Sequence, residues 1–248
     1  MNLVIDLGNS FAKIAVCEGS EIIESVISEK IANKEIAYFL KNYDSLKAAI
    51  FSSVVNHSRE LIDYLDTSFD FFLELTNHTP LPLVNQYKTP ETLGRDRIAA
   101  VTGAHTIFPN KNVLVIDAGT AITFDVVTSG GEYVGGNISP GLHMRFKALH
   151  KFTSRLPYLD PDEEAIHLLG KTTDEAIISG VFNGLLYEIE GYISSVSKKY
   201  KHLQVVLTGG DANSFDKRLK SSIFVVSHLN LIGLNRILDH NAQHFKTD

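Results

Sequence analysis

A single cysteine, Cys17, occurs in 248 residues. One thiol excludes an internal disulfide and a cysteine-based zinc site, and it implies a reducing, cytoplasmic setting. Cys17 falls in an apolar run and reads as a small buried hydrophobe. No apolar run approaches the roughly 18 residues that a membrane span needs. The first residues read as a strand and not as a signal peptide. Basic blocks are also missing: the net charge is −6, from 23 Lys and Arg against 29 Asp and Glu. With no clustered cations, neither nucleic acid nor a membrane surface is expected as a partner. No Gly-x-Gly-x-x-Gly follows a strand, and no His-Glu-x-x-His occurs. Gly170-Lys171-Thr172 ends like a Walker loop, but the glycine that should open that loop is Ala165.

What is present is a duplication. Leu3-Val-Ile-Asp6-Leu7-Gly8-Asn9-Ser10-Phe-Ala-Lys13-Ile-Ala-Val16 returns as Leu114-Val-Ile-Asp117-Ala-Gly119-Thr120-Ala-Ile-Thr123-Phe-Asp-Val-Val127. Six of the fourteen positions are identical, at an offset of 111 residues. Each copy reads as a buried strand, a tight Asp-x-Gly-(Asn/Thr) turn and a second strand. Glycine in such a turn leaves backbone amides uncovered, so a phosphate can come close. The aspartate at the strand end can hold a hydrated cation beside it. A plain hairpin turn explains either copy alone; two copies favour a pair of phosphate turns.

The rest of the pattern fits two halves, residues 1–110 and 111–248. Strands are predicted at 2–7, 10–17 and 20–27, a helix from 33, a strand near 48–54, a helix at 57–66 and a strand at 71–75. A long polar connection, 76–90, carries Tyr87, and a helix is predicted from Ile98 to Ile107. The second half repeats the order, with strands at 112–117, 120–127 and 132–138. Helices at 141–151 and 172–200, strands at 203–208 and 223–226, and a closing helix from about 230 complete it. This grammar of three strands followed by alternating helix and strand, given twice, is α/β. It is the plan of two ribonuclease-H-like domains of the actin, hexokinase and acetate kinase superfamily, with a nucleotide cleft between them.

Two further stretches carry chemistry. Gly94-Arg95-Asp96-Arg97 precedes the predicted helix at 98. It suits a salt-bridged helix start, and it equally offers Asp96 as a base for a substrate hydroxyl and Arg97 for an anionic group. Gly135-Gly136-Asn137-Ile138-Ser139-Pro140-Gly141 reads as a strand-to-helix turn, with backbone bare enough for a ligand to lie against it.

Taken in order, Asp6-x-Gly-Asn-Ser, Gly94-x-Asp-Arg97, Asp117-x-Gly-Thr-Ala-x-Thr123, Gly135-Gly-x-Ile-x-Pro-Gly141 and Thr208-Gly209-Gly210 resemble type III pantothenate kinases over the whole chain. Ser10 keeps the hydroxyl where many relatives have Thr. The resemblance implies ATP-dependent phosphorylation of pantothenate, the first step of coenzyme A synthesis, with Asp96 as proton acceptor. It implies that Asp6, Leu7, Gly8, Asn9, Ser10, Lys13 and Thr120 bind ATP, with Asp6 near Mg²⁺. It places a monovalent cation, K⁺ or NH₄⁺, at Asp117, and pantothenate at Tyr87, Gly94, Arg95, Asp96, Arg97 and Thr173. It also implies a homodimer with the substrate pocket near the interface. The helix at 172–200 combines Ile177, Ile178, Val181, Leu185 and Ile189 with Gly180 and Gly184, which suits either a dimer face or burial in its own domain. A nucleotide-bound accessory regulator of transcription, another kinase or phosphatase of the superfamily, and an actin-like filament are the rival readings.

Overall fold

In a computed structural model of the chain, residues 1–29, 33–162, 164 and 166–245 are described. Ala165, the position that argued against a Walker loop, lies outside them. Strands β1 (Asn2–Leu7), β2 (Ala12–Glu18) and β3 (Glu21–Ser28) form an antiparallel meander. Helix α1 (Asn33–Asn42) leads to β4 (Ala48–Ser53), and α2 (Arg59–Ser68) to β5 (Phe71–Glu74). β4 pairs in parallel with β1 and β5 in parallel with β4, so the sheet order is β3-β2-β1-β4-β5. Every residue of β4 is buried, and β1 is buried from Leu3 to Asp6. Central strands covered on both faces read as continuous apolar runs, which is how they stood out in the sequence. Leu3, Ile5, Ile14, Phe39, Phe51 and Leu65 pack into one core. Cys17 is 1% exposed, and burial pushes its thiol up to about 12, as befits an inert hydrophobe.

The connection at 76–90 is not wholly irregular: it contains a short strand, β6 (Val84–Asn85). Helix α3 (Arg95–Ile107) begins three residues before its predicted start. Gly94 is its N-cap, and Asp96 sits in its first turn, where a carboxylate complements the helix dipole. Next come β7 (Val113–Ala118), β8 (Ala121–Val127), β9 (Glu132–Pro140), α4 (Leu142–Lys151) and α5 (Thr173–Lys199). β10 (Gln204–Thr208), α6 (Ala212–Asp216), β11 (Phe224–Val225) and α7 (Leu229–Phe245) end the described chain. The second sheet runs β11-β10-β7-β8-β9, with β6 added beyond β9. Strand for strand, this repeats the order of the first sheet, with β7 in the place of β1. No helix among the described residues is long and apolar enough to cross a membrane.

The chain divides into two compact units. One comprises Met1–Asn110, Thr128–Val134 and the residues from His228 onward; the other comprises Lys111–Val127 and Gly135–Ser227. Within the first unit, α7 lies across α3 at glycines. A methyl group on Gly233 would drive into the Ala99 carbonyl oxygen, and one on Gly103 into that of Leu229. Backbone therefore meets backbone at this crossing, and nothing larger than hydrogen fits between. Gly233→Ala is expected to lower the unfolding free energy by about 3 kcal/mol through overpacking, read as a lower urea midpoint. An unchanged midpoint would show that the crossing tolerates separation.

Candidate active site

Asp6 ends the buried part of β1 and is 6% exposed. Lys13 lies opposite it on β2 and Ser52 opposite it on β4. Directly opposed residues share a face of the sheet, so Lys13 turns to Asp6 and is not simply solvated. Burial pushes the Asp6 carboxyl up to about 6; Lys13 opposes the rise, Asp96 adds to it, and Asn230 and Ser52 lower it slightly. Asp6, Lys13 and Asp96 thus converge as expected, while Asn230, near the start of α7, and Ser52 join them without having been singled out. The turn itself is closed by Gly8 N–H donating to the Phe11 carbonyl at 3.0 Å. Asn9 and Ser10 at its tip are exposed, and Leu7 is half-buried.

Asp96 is half-buried, and its Oδ1 accepts from the Arg97 amide at 2.9 Å. A side chain at Gly94 would collide with that carboxylate, so glycine here makes room for it. The two arginines part ways. Arg95 Nη1 donates to the Ser53 carbonyl at 3.2 Å, bracing the end of β4. Arg97 is 5% exposed and holds its guanidinium 5.4 Å over the Tyr87 ring. Tyr87 in turn stacks on Tyr133, with centroids 6.1 Å apart and planes 4° from parallel. An open pocket of about 480 Å³ lies beside Gly94 and Arg95, with Ser53, Asn56, His57 and Asn77 in its walls. Tyr133 carries no sequence signal that would have set it apart from any other strand aromatic.

The second unit builds its own cluster. Asp117, one residue before the end of β7, lies opposite Thr123 of β8 and Thr208 of β10. Gly119 N–H donates to the Ala121 carbonyl at 3.2 Å, closing a turn with Thr120 exposed at its tip. Two glycine stretches press on this turn. A methyl at Gly141 would collide with the Gly119 and Thr120 carbonyls. At Gly209, where φ is 96°, a methyl would stand 2.6 Å from Asp117 Oδ1. The stretches 135–141 and 208–210 therefore belong to the same site as Asp117, and both need glycine to reach it. Thr173 is exposed at the start of α5, with Thr172 as N-cap accepting from the Glu175 amide at 3.2 Å.

Comparison with known proteins bears on the family and on the fold. The family profile described as type III pantothenate kinase matches residues 2–195. A type III pantothenate kinase of Bacteroides fragilis is 48% identical over 241 residues, 97% of this chain and 98% of that protein. Among solved structures, a Campylobacter jejuni chain described as a Baf family transcriptional activator superposes with a TM-score of 0.65 at 23% identity, covering 97% of this chain and 99% of that one. A glucokinase from an Antarctic psychrotroph superposes with a TM-score of 0.55 at 11% identity, covering 96% and 98%. At such identities these structural likenesses speak to fold alone, and they place it among the hexokinase-like folds. With a family profile over most of its length and a near-half-identical relative over nearly all of it, the chain belongs to the type III pantothenate kinase family.

Proposed function

We propose that this chain transfers the γ-phosphoryl group of ATP to the primary hydroxyl of pantothenate, giving 4′-phosphopantothenate and ADP in the cytoplasm. Family membership carries this reading, together with the convergence of Asp6, Lys13 and Asp96. The hydroxyl oxygen attacks the γ-phosphorus, the bond to the β–γ bridging oxygen breaks, and the hydroxyl proton passes to the Asp96 carboxylate. Phosphoryl transfer asks little covalent chemistry of a protein, so positioning and charge supply most of the rate. The amides of Asn9 and Ser10, with Leu7 and Gly8 shaping the turn before them, and Lys13 and Thr120, are the proposed ATP contacts. Gly94 keeps the Asp96 carboxylate clear, and Arg97, Tyr87 and Thr173 are the proposed pantothenate contacts. Arg95, bound to a backbone carbonyl, acts more as a brace than as a substrate ligand. The regulator reading draws only on a likeness of fold.

The residues present fit the two cations. Among the described residues no three His, Cys, Asp or Glu cluster as metal ligands, so a divalent ion would take most of its ligands from the nucleotide. Asp6 is the fitting protein partner, since its buried carboxyl is left under-compensated by Lys13. Mg²⁺ there would neutralise phosphate charge. Asp117, with carbonyl and hydroxyl oxygens around it, is the fitting residue for K⁺ or NH₄⁺, which would offset the second turn's negative charge. A homodimer is part of the same proposal. Ile177, Ile178, Val181, Leu185 and Ile189 are buried within their own chain, whereas Gly180, Gly184 and Gly191 face open space beside exposed Tyr187. That bare side of α5 supports a dimer face better than the apolar set does.

Three measurements test these assignments. ADP release from ATP and Mg²⁺ is expected to depend on pantothenate and to be lost when Na⁺ replaces K⁺. ADP formed without an acceptor would mean a hydrolase, and full activity in Na⁺ would remove the monovalent site. Asp96→Asn is expected to cut kcat by about 10²- to 10⁴-fold with an unchanged circular dichroism spectrum; near-normal kcat would exclude Asp96 as the base. Asp6→Asn addresses the buried carboxyl. Between the unfolded value of 3.8 and the folded value of about 6, the folded state holds a proton that the unfolded chain has released. Stability from this group therefore falls as pH rises through that window. Without nucleotide, Asp6→Asn should match the parent below pH 4 and exceed it by about 3 kcal/mol at pH 7.5, while losing activity. Equal stability at both pH values would show that Asp6 is not desolvated.

A further inference from the structure

Towards the C-terminal end of α3, away from Asp96, the first unit holds a separate cavity of about 270 Å³. Pro82, Leu83 and Pro109 give it an apolar side, and Thr102, His105 and Arg236 a polar one. None of the residues proposed for catalysis lines it. Its polar side lacks partners. Thr102 is 1% exposed, yet its Oγ1 completes no hydrogen bond. His105 Nδ1 is buried without one as well. Among the described residues, no hydrogen bond or ion pair ties down Arg236.

Buried polar groups in folded proteins are nearly always bonded, so each such exception calls for an occupant. Water alone satisfies this cavity poorly. The space equals that of about nine waters, and those against the two prolines and Leu83 would find no protein partner. A ligand with one anionic end and an apolar body satisfies both sides at once. We propose that this cavity binds a small monocarboxylate, held by Arg236, Thr102 Oγ1 and His105 Nδ1 at its carboxylate and by Pro82, Leu83 and Pro109 along its carbon chain.

The charge balance supports a monoanion over phosphate. Burial, and then Arg236, lower the His105 pKa and keep the ring neutral. Arg236 is therefore the one formal charge in the lining, and no Asp or Glu opposes it there. A planar guanidinium matches a carboxylate in bidentate fashion. A phosphate dianion would bring a second charge with no cation to meet it. The polar groups sit on α3 and α7, the two helices whose N-terminal ends carry Asp96 and Asn230, so an occupant also braces their glycine crossing.

Butyrate is the probe for this site. Saturation-transfer NMR on the full chain, with excess pantothenate and ADP filling the proposed active site, is expected to show saturable binding in the millimolar range that so small a ligand reaches. Arg236→Gln and, separately, Thr102→Val should weaken it by about tenfold or more, with phosphotransfer rates unchanged as proof of folding. Binding that survives both substitutions, or no saturable binding at all, would overturn the assignment. Inorganic phosphate competing as strongly as butyrate would replace the monocarboxylate with an unselective oxyanion site, and so would also overturn it.

Discussion

The arrangement of the first unit turns on one costly placement: the Asp6 carboxylate is buried at the end of β1 with a second carboxylate, Asp96, near enough to raise its pKa further. Taking a charge out of water is unfavourable unless something holds and compensates it. The sheet does the holding. β1 lies between β2 and β4, locked from Leu3 to Ile5 in a core of aliphatic and aromatic side chains. The helices deliver the rest. α3 brings Asp96 and α7 brings Asn230, and the glycine contacts at Gly103 and Gly233 fix how those two helices cross. A strained electrostatic arrangement at a helix-and-strand junction is where activity and stability trade against each other. It also explains why the proposed Mg²⁺ and polyphosphate belong there: a dication relieves the acids, and the lysine and amides meet the phosphates.

The duplication runs deeper than the repeated sequence, and differs from it in one respect. Asp6 stands between Lys13 on an antiparallel strand and Ser52 on a parallel one. Asp117 stands between Thr123 and Thr208 in the same two directions. The two sites are therefore built alike, yet the sequence echo aligns Lys13 with Phe124. The second turn is shorter by one residue, since Leu7 pairs with Ala12 whereas Ala118 pairs with Ile122. A one-residue slip changes which side chain faces which. Asp6 consequently meets a fixed cation and Asp117 meets hydroxyls. That difference supports a phosphate and divalent-ion role for the first turn and a monovalent-ion role for the second.

Element type was legible because central strands, doubly covered, show unbroken apolar runs between glycine turns. The candidate site was legible where chemistry was concentrated in short motifs, as at Asp6–Lys13, Gly94–Arg97 and Asp117–Thr123. Ser52, Asn230 and Tyr133 were not, since each is a single ordinary residue brought in by pairing or packing from a distant part of the chain. Thr208 matches Ser52 in space, but α4 and α5 intervene before β10, so no constant offset connects them. The start of α3 was placed late because Gly94-Arg-Asp-Arg has no apolar periodicity; the Gly94 carbonyl accepting from the Ile98 amide and the carboxylate of Asp96 at the dipole's positive end extend the helix over it. The membership of α7 in the first unit was equally hidden. Amphipathic periodicity tells that a helix packs, not against what, and only the glycine at 233 marks the partner.

The pair of arginines shows how packing decides between residues that sequence leaves equivalent. Arg95 and Arg97 flank the same acid within the first turn of α3, and either could meet an anionic substrate. Arg95 is engaged with the Ser53 carbonyl at the end of β4, next to Ser52 and hence to Asp6. Removing it would disturb the strand end before it touched a substrate. Arg97 is nearly buried, and its guanidinium rests on Tyr87, which rests on Tyr133. Stacking on an aromatic face lets a guanidinium shed water without losing its charge. Such a cation is preorganised for a carboxylate, and its aromatic support offers apolar surface beside the charge. That combination is why the acceptor site is proposed here: pantothenate is a carboxylate on a short, partly apolar amide chain.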